Sequence, residues 1–178
     1  MRKVVAYELL SLDGTAERPE EFFTDFDEVM EENLGRVIAA QDAVLLGRRT
    51  YDEWARFWPP SDIEPFAGFI NGVQKFVVTS TPPEQDWANT IVVESGLPGF
   101  LAELKRQPGG DIGVHGSIAL AQSLLRDDLV DELRLVIAPA WQGNGRKLFG
   151  GAKPKRLTLT RSVTSPAGYL LADYVVRS

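Results

Sequence analysis

Two stretches of the chain carry residue types that together can hold a phosphorylated ligand. Val44 to Trp54, Val-Leu-Leu-Gly-Arg-Arg-Thr-Tyr-Asp-Glu-Trp, passes from an apolar run through Gly47 into a helical pattern. Glycine lets the backbone turn and come close to a ligand, and a first helical turn has unpaired N–H groups that favour an anion. Arg48 and Arg49 add positive charge beside those donors, and Thr50 adds a hydroxyl. Asp111 to Gln122 repeats the plan, running from a short strand through Val114-His115-Gly116-Ser117 into a helix that begins near Ile118. Either junction alone is met in many ordinary turns. Their pairing is what one polyphosphate would need.

Composition bounds the class of protein. The 178 residues, 44% hydrophobic and 25% charged, suit one folded domain spanning 1–178. A formal net charge of −6 and the lack of any Lys/Arg run longer than two argue against a nucleic-acid surface and leave the arginines as a local anion site. Absence of cysteine excludes disulfides, thiolate nucleophiles and cysteine-ligated zinc. His115 is the one histidine, and no Gly-x-Ser-x-Gly elbow is present, so a hydrolytic triad is not expected. The opening Met1-Arg2-Lys3-Val4-Val5-Ala6-Tyr7 breaks at Glu8 without a signal cleavage pattern, and no apolar segment approaches the ~20 residues that span a bilayer. A cytoplasmic protein without membrane partners is expected.

The elements that must position the two junctions are legible in order. Arg2 to Leu10 reads as a buried strand, ended by Ser11 to Gly14. From Asp25 to Gln41, Phe26, Val29, Met30, Leu34, Val37 and Ile38 recur at helical spacing, with Asp25 as the cap. Ala43 to Leu46 is a strand, and the helix after it carries Tyr51, Trp54, Ala55 and Trp58 before Pro59-Pro60 stops it. A short helix lies within Ser61 to Gly72, and strands follow at Lys75 to Val78 and Thr90 to Val93. Phe100, Leu101 and Leu104 mark one more helix, and Ser117 caps another built on Leu120, Ala121, Leu124 and Leu125. Val130 to Ala138, a glycine-punctuated loop from Pro139 to Gly151, and a hairpin of Arg156 to Val163 with Gly168 to Val176 complete the chain. Eight candidate strands with helices between the earlier ones give an α/β sandwich whose C-terminal edge is antiparallel.

Leu46-Gly47-Arg48-Arg49-Thr50-Tyr51 resembles the Gly-Arg-Lys/Arg-Thr-Tyr cofactor motif of dihydrofolate reductases. Ser11-Leu12-Asp13-Gly14, Val78-Thr79-Ser80-Thr81, Val114-His115-Gly116-Ser117, Asp131-Glu132-Leu133 and Gly143-Asn144-Gly145-Arg146-Lys147-Leu148-Phe149 extend the likeness. Together they resemble the C-terminal reductase domain of the bifunctional riboflavin-biosynthesis deaminase/reductase, over nearly the whole chain. That resemblance implies a dihydrofolate reductase-like three-layer sandwich, a mostly parallel eight-stranded sheet with an antiparallel C-terminal hairpin, and pairing into homodimers. It also implies NADPH as cofactor and direct hydride transfer with no metal.

By the same resemblance, Ala6, Leu12, Asp13 and Gly14 would meet the nicotinamide, although an Asp-Gly turn alone explains the last two. Gly47, Arg48, Arg49 and Thr50, with Val114, His115, Gly116, Ser117 and Ile118, would hold the phosphates. Thr79, Ser80 and Thr81 would meet the adenosine 2′-phosphate, and the lack of an acid at those positions favours NADP over NAD. His115 stands where the family's pyrophosphate element has glycine; it reads as a packed or backbone-positioning residue, with acid/base work as the other reading.

Trp54 and Trp58 would border the substrate cleft or pack in the core, and Arg146 and Lys147 would hold a substrate phosphate or lie in a solvated turn. A proton-donating carboxylate is expected on the first long helix. An ungapped count from Gly47 points to Glu31, whereas at ~100° per residue Asp27 lies roughly 75° from the apolar face and Glu31 about 115°. A wet helix flank is the alternative for both. The His-x-Glu and Pro-Cys-x-x-Cys pattern of the deaminase half is absent. Three readings remain: a reductase of the riboflavin type, a dihydrofolate reductase, and a non-catalytic nucleotide-binding domain.

Overall fold

Strands that are apolar on both faces need cover on both sides, and alternating them with helices supplies it. In the computed structural model, which describes residues 1–176, the chain runs β1 (Val4–Leu10), α1 (Glu28–Ala39), β2 (Gln41–Gly47), α2 (Arg48–Phe57), α3 (Phe66–Gly72), β3 (Gln74–Val78) and β4 (Thr90–Val93). It continues with α4 (Leu97–Arg106), β5 (Asp111–Val114), α5 (Ile118–Arg126), β6 (Glu132–Ile137), β7 (Leu157–Thr164) and β8 (Leu170–Val176). One eight-stranded sheet results, in the order β4-β3-β2-β5-β1-β6-β8-β7. The first six strands are parallel, and β8 runs antiparallel to both β6 and β7.

Each face of the sheet has its own core. Ala6, Leu45, Val114 and Leu133 pack with Leu101 and Leu104 of α4 and Leu120, Ala121 and Leu124 of α5. On the other face Val44, Leu46 and Val77 meet Tyr51 and Ala55 of α2 and Phe66 and Ile70 of α3, while Tyr7, Val136 and Leu171 meet Met30 and Val37 of α1. Each such side chain, once buried, stabilises the fold by roughly 1.5–3 kcal/mol. The three layers are those expected. No helix among the described residues is long and apolar enough to cross a membrane.

The first helix departs from the periodicity reading at both ends. Asp27, not Asp25, is its cap, because the Asp27 carboxylate accepts from the Met30 N–H at 3.1 Å, and Phe26 is left outside the helix and 54% exposed. Gln41 is the first residue of β2 and not the end of the helix. The Ala40 carbonyl there accepts from Asp111 N–H at 2.7 Å, which draws the chain into the sheet.

Strand lengths shape the rim where the parallel strands end. β5 pairs with β1 only as far as Ala6↔Val114 and with β2 only as far as Leu45↔Val114. β1 goes on beside β6 to Leu10↔Ile137, and β2 goes on beside β3 to Gly47↔Val78. The short β5 therefore leaves a notch in the sheet between two longer strands.

Candidate functional site

Ligands of parallel α/β sheets bind beyond the carboxyl ends of the strands. All four turns singled out in the sequence lie there, after β1, β2, β3 and β5, four strands that are neighbours in the sheet. The β2–α2 and β5–α5 junctions touch. Gly47 N–H donates to the Gly116 carbonyl at 3.3 Å. A Cβ on Gly47 would collide with Ser117 Oγ, and one on Gly116 would stand 3.3 Å from Thr50 Oγ1. Glycine at both points of contact is what lets the two helix starts close together. Gly116 has φ +131°, a backbone that side chains disfavour, and its bond to Ser117 is cis.

The two helix starts differ. The residue before α2, Gly47, supplies no side-chain cap, and no acid lies in the helix's first turn, so its leading N–H groups keep their affinity for an anion. Ser117 caps α5 by accepting from Leu120 N–H at 3.3 Å. Arg48 is well occupied: Nε donates to Asp52 at 3.1 Å, Nη1 to Thr81 Oγ1 at 2.8 Å, and Nη2 lies 3.5 Å from Glu84. Glu84 also takes Arg56 at 2.6 Å. Arg49 is exposed and has no ion-pair partner among the described residues. Thr79 Oγ1 donates to the Thr81 carbonyl at 2.7 Å and accepts its N–H at 3.1 Å, shaping the turn that leaves Ser80 exposed. The sequence shows no acid at 79–81, yet folding returns Glu84 to the same corner.

The loop after β1 is tied to the glycine-rich loop after β6. Asp13 accepts from Lys147 Nζ at 2.7 Å, Ser11 Oγ at 2.5 Å, Gln142 N–H at 3.0 Å and Gly143 N–H at 2.9 Å. The Lys147 ammonium first, then Ser11 and the backbone donors, hold its carboxyl well below the usual range. Lys147 also donates to Thr15 Oγ1 at 2.8 Å, and Arg146 pairs with Glu17 at 3.0 Å. Both candidate substrate-phosphate cations thus have carboxylate partners. Gly14, at φ +80°, turns the loop, and Leu12 is 70% exposed at its tip. Ala6 is fully buried and is the last residue of β1 paired with β5.

An aromatic wall runs from α2 to the notch. Trp54 and Trp58 are half-buried, with ring centroids 5.6 and 4.9 Å from Phe66, and Phe66 lies 5.4 Å from the His115 ring. Trp58 Nε1 is sealed and lacks a partner. Burial drives the His115 imidazole down to about 4, so it is uncharged at neutral pH. Val114 and Ile118 are, respectively, buried and half-buried beside these turns.

The two helix carboxylates are placed differently. Asp27 is half-buried and accepts from Ala167 N–H at 3.0 Å as well as capping α1. Burial pushes its carboxyl up, but hydrogen bonds from Ser165, Ala167, Met30 and Val29 outweigh that and hold it below its ordinary value. Glu31 is exposed. Glu8, which in the sequence marks only a break in the opening apolar run, is a buried carboxyl of β1: it is 7% exposed, its Oε1 has no partner, and burial raises its carboxyl to about 8. Period-two alternation was the available signal, since Glu8 shares a face with Ala6 and Leu10.

A three-layer sandwich of this topology is the dihydrofolate reductase-like fold. Within it, the chain belongs to the RibD C-terminal domain family, whose model matches residues 2–171. It is 29% identical over 154 residues to the uncharacterized protein YyaP of Bacillus subtilis (strain 168), covering 83% of this chain and 76% of that one. The fold is similar to a putative riboflavin biosynthesis protein from Shewanella sp. PV-4, with TM-score 0.79, 19% identity and 99% of both chains covered. It is similar also to the diaminohydroxyphosphoribosylaminopyrimidine deaminase/5-amino-6-(5-phosphoribosylamino)uracil reductase of Thermotoga maritima, with TM-score 0.68 and 14% identity, covering 99% of this chain and 57% of that one.

Proposed function

We propose that the protein is an NADPH-dependent reductase acting on a small heterocyclic or ribosylamino substrate, of the kind represented by 5-amino-6-(5-phosphoribosylamino)uracil. The observation that carries this reading is the locked pair of helix starts, in which Gly47 N–H meets the Gly116 carbonyl at 3.3 Å, a Cβ on Gly47 would collide with Ser117 and one on Gly116 would press on Thr50. The residues present fit a phosphorylated dinucleotide. The uncapped first turn of α2 supplies N–H donors for one phosphate, the α5 start flanks it, and Arg49 with Ser80 offers an unneutralised cation and a hydroxyl for a further phosphate.

When bound, NADPH supplies the hydride. The chain orients its ring: β1 beyond Ala6 has lost its β5 partner, which leaves backbone groups on that edge for a carboxamide. The Asp13 clasp ties the β1 loop to the loop after β6, and Leu12, exposed at its tip, is free to cover a bound ring. Asp27 enters ionised and hydrogen-bonded, and Glu31 is exposed, so neither is the sealed, protonatable acid that pterin reduction uses. That supports the riboflavin-type substrate over dihydrofolate. NADPH oxidation followed by absorbance separates them: turnover is expected with the ribosylaminouracil phosphate and not with dihydrofolate, and the reverse result would overturn the substrate assignment.

A further inference from the structure

At the notch left by the short β5, the first residue of the turn is His115, which is half-buried. Its Nε2 lies 2.7 Å from Gln41 Oε1, an acceptor, so Nε2 carries the hydrogen and Nδ1 carries the lone pair. Gln41 reaches the ring because Gly113 has no side chain: a Cβ there would collide with the Gln41 amide. Gln41 is itself only 7% exposed, and its Nε2 is sealed without a partner, a buried polar group left unsatisfied beside His115. Three rings surround the imidazole, Phe66 at 5.4 Å, Tyr7 at 5.7 Å and Phe69 at 6.0 Å, between their centroids and its own.

We infer that His115, held through Nε2 by Gln41, is a substrate-recognition residue whose Nδ1 accepts a ring N–H of a planar heterocycle lying along the Phe66–Phe69 wall. The inference rests on the reductase reading and deepens it by naming the substrate class. An aromatic wall favours a flat ring and disfavours a charged or branched one. A lone pair set in that wall adds direction. A ligand that brings no N–H leaves the acceptor desolvated and unpaired, so the site discriminates by hydrogen bond as well as by shape. Burial holds the imidazole uncharged at neutral pH, which keeps a lone pair on one ring nitrogen.

Since His115 is the only histidine, a long-range ¹H–¹⁵N spectrum of the full-length protein reports its tautomer and Nδ1 environment without assignment. The probes are quinazoline-2,4-dione, which has two ring N–H groups, and its 1,3-dimethyl derivative, which has none. The free protein should show hydrogen on Nε2 alone. The dione should move the Nδ1 resonance and bind at least about ten-fold more tightly than the dimethyl compound, a difference of ~1.4 kcal/mol. His115→Phe, which keeps the aromatic wall, should bind both equally. Gln41→Leu should mix the tautomers and weaken the dione by about ten-fold. Hydrogen on Nδ1 in the free protein, equal affinity of the two probes for the wild type, or binding of neither would overturn the inference. NADPH titrated into the same sample keeps the two readings apart: tight NADPH binding with no discrimination between probes sinks the role of His115 alone, and absent NADPH binding sinks the reductase.

Discussion

The β2–α2 and β5–α5 junctions are written on the same plan, strand, glycine, helix, and do different work. At the first, Gly47 leaves the α2 start uncapped, and Arg49 stands beside it without an acid. At the second, Ser117 satisfies the α5 start with its own hydroxyl, and Gly116 offers a carbonyl to Gly47. One is open to an anion and the other braces it. The lesson is that a glycine-bearing strand-to-helix turn becomes a binding element through what its neighbours leave unsatisfied, and the glycine alone does not decide it.

The largest effect is expected from closing the contact between the two. Gly47→Ala places a methyl group against Ser117, 3.0 Å from its Cβ, so the junctions must part. A stability loss of roughly 1–3 kcal/mol and about 100-fold weaker NADPH binding should follow in denaturant melts and titrations. Adding Ser117→Gly should recover part of both. Full affinity in Gly47→Ala would show that the brace is dispensable.

A second test sharpens the contrast between the open rim and the sealed strand beneath it. The Glu8 carboxyl is raised from 4.5 to about 8 by burial, so the folded state holds its proton more firmly than the unfolded chain. Its contribution is intact below the unfolded value and is lost as pH rises through the folded one. Glu8→Gln, uncharged at every pH, should therefore match the wild type near pH 4 and exceed it by several kcal/mol near pH 9. Parallel pH–stability curves would remove the buried carboxyl from the description of β1. The smallest change is expected from Ser117→Ala: about 1 kcal/mol of stability lost with the cap, and NADPH affinity within roughly three-fold of wild type, as suits a brace. A ten-fold loss would make Ser117 a phosphate ligand.

Legibility in the sequence followed the range of the interactions. The apolar runs of most strands, and the two junctions where such a run meets Gly47 or Gly116, are local signals carried by the chain itself. Asp27 is visible as a carboxylate near the apolar face, but Asp25 offers the same capping side chain just before it, and the contact of Asp27 with Ala167 spans 140 residues. The pairing of Lys147 with Asp13 and of Arg146 with Glu17 spans 134 and 129 residues, and nothing in a loop of mixed charge announces it. Arg48 with Asp52 is an i,i+4 pair open to inspection, whereas Glu84 reaches that arginine only because β3 lies beside β2. Gln41 read as the end of a helix since its role depends on an empty position at Gly113, and tertiary space of that kind leaves no trace in periodicity.

The most direct test is the dissociation constant of NADPH, measured beside that of NADH, for the wild type and Arg49→Ala. Saturable one-to-one binding of NADPH is expected, at least about ten-fold tighter than NADH, with the preference reduced in Arg49→Ala and at high salt. No saturable NADPH binding, or a preference unchanged by Arg49→Ala, would contradict the assignment of this rim as a site for the phosphorylated dinucleotide.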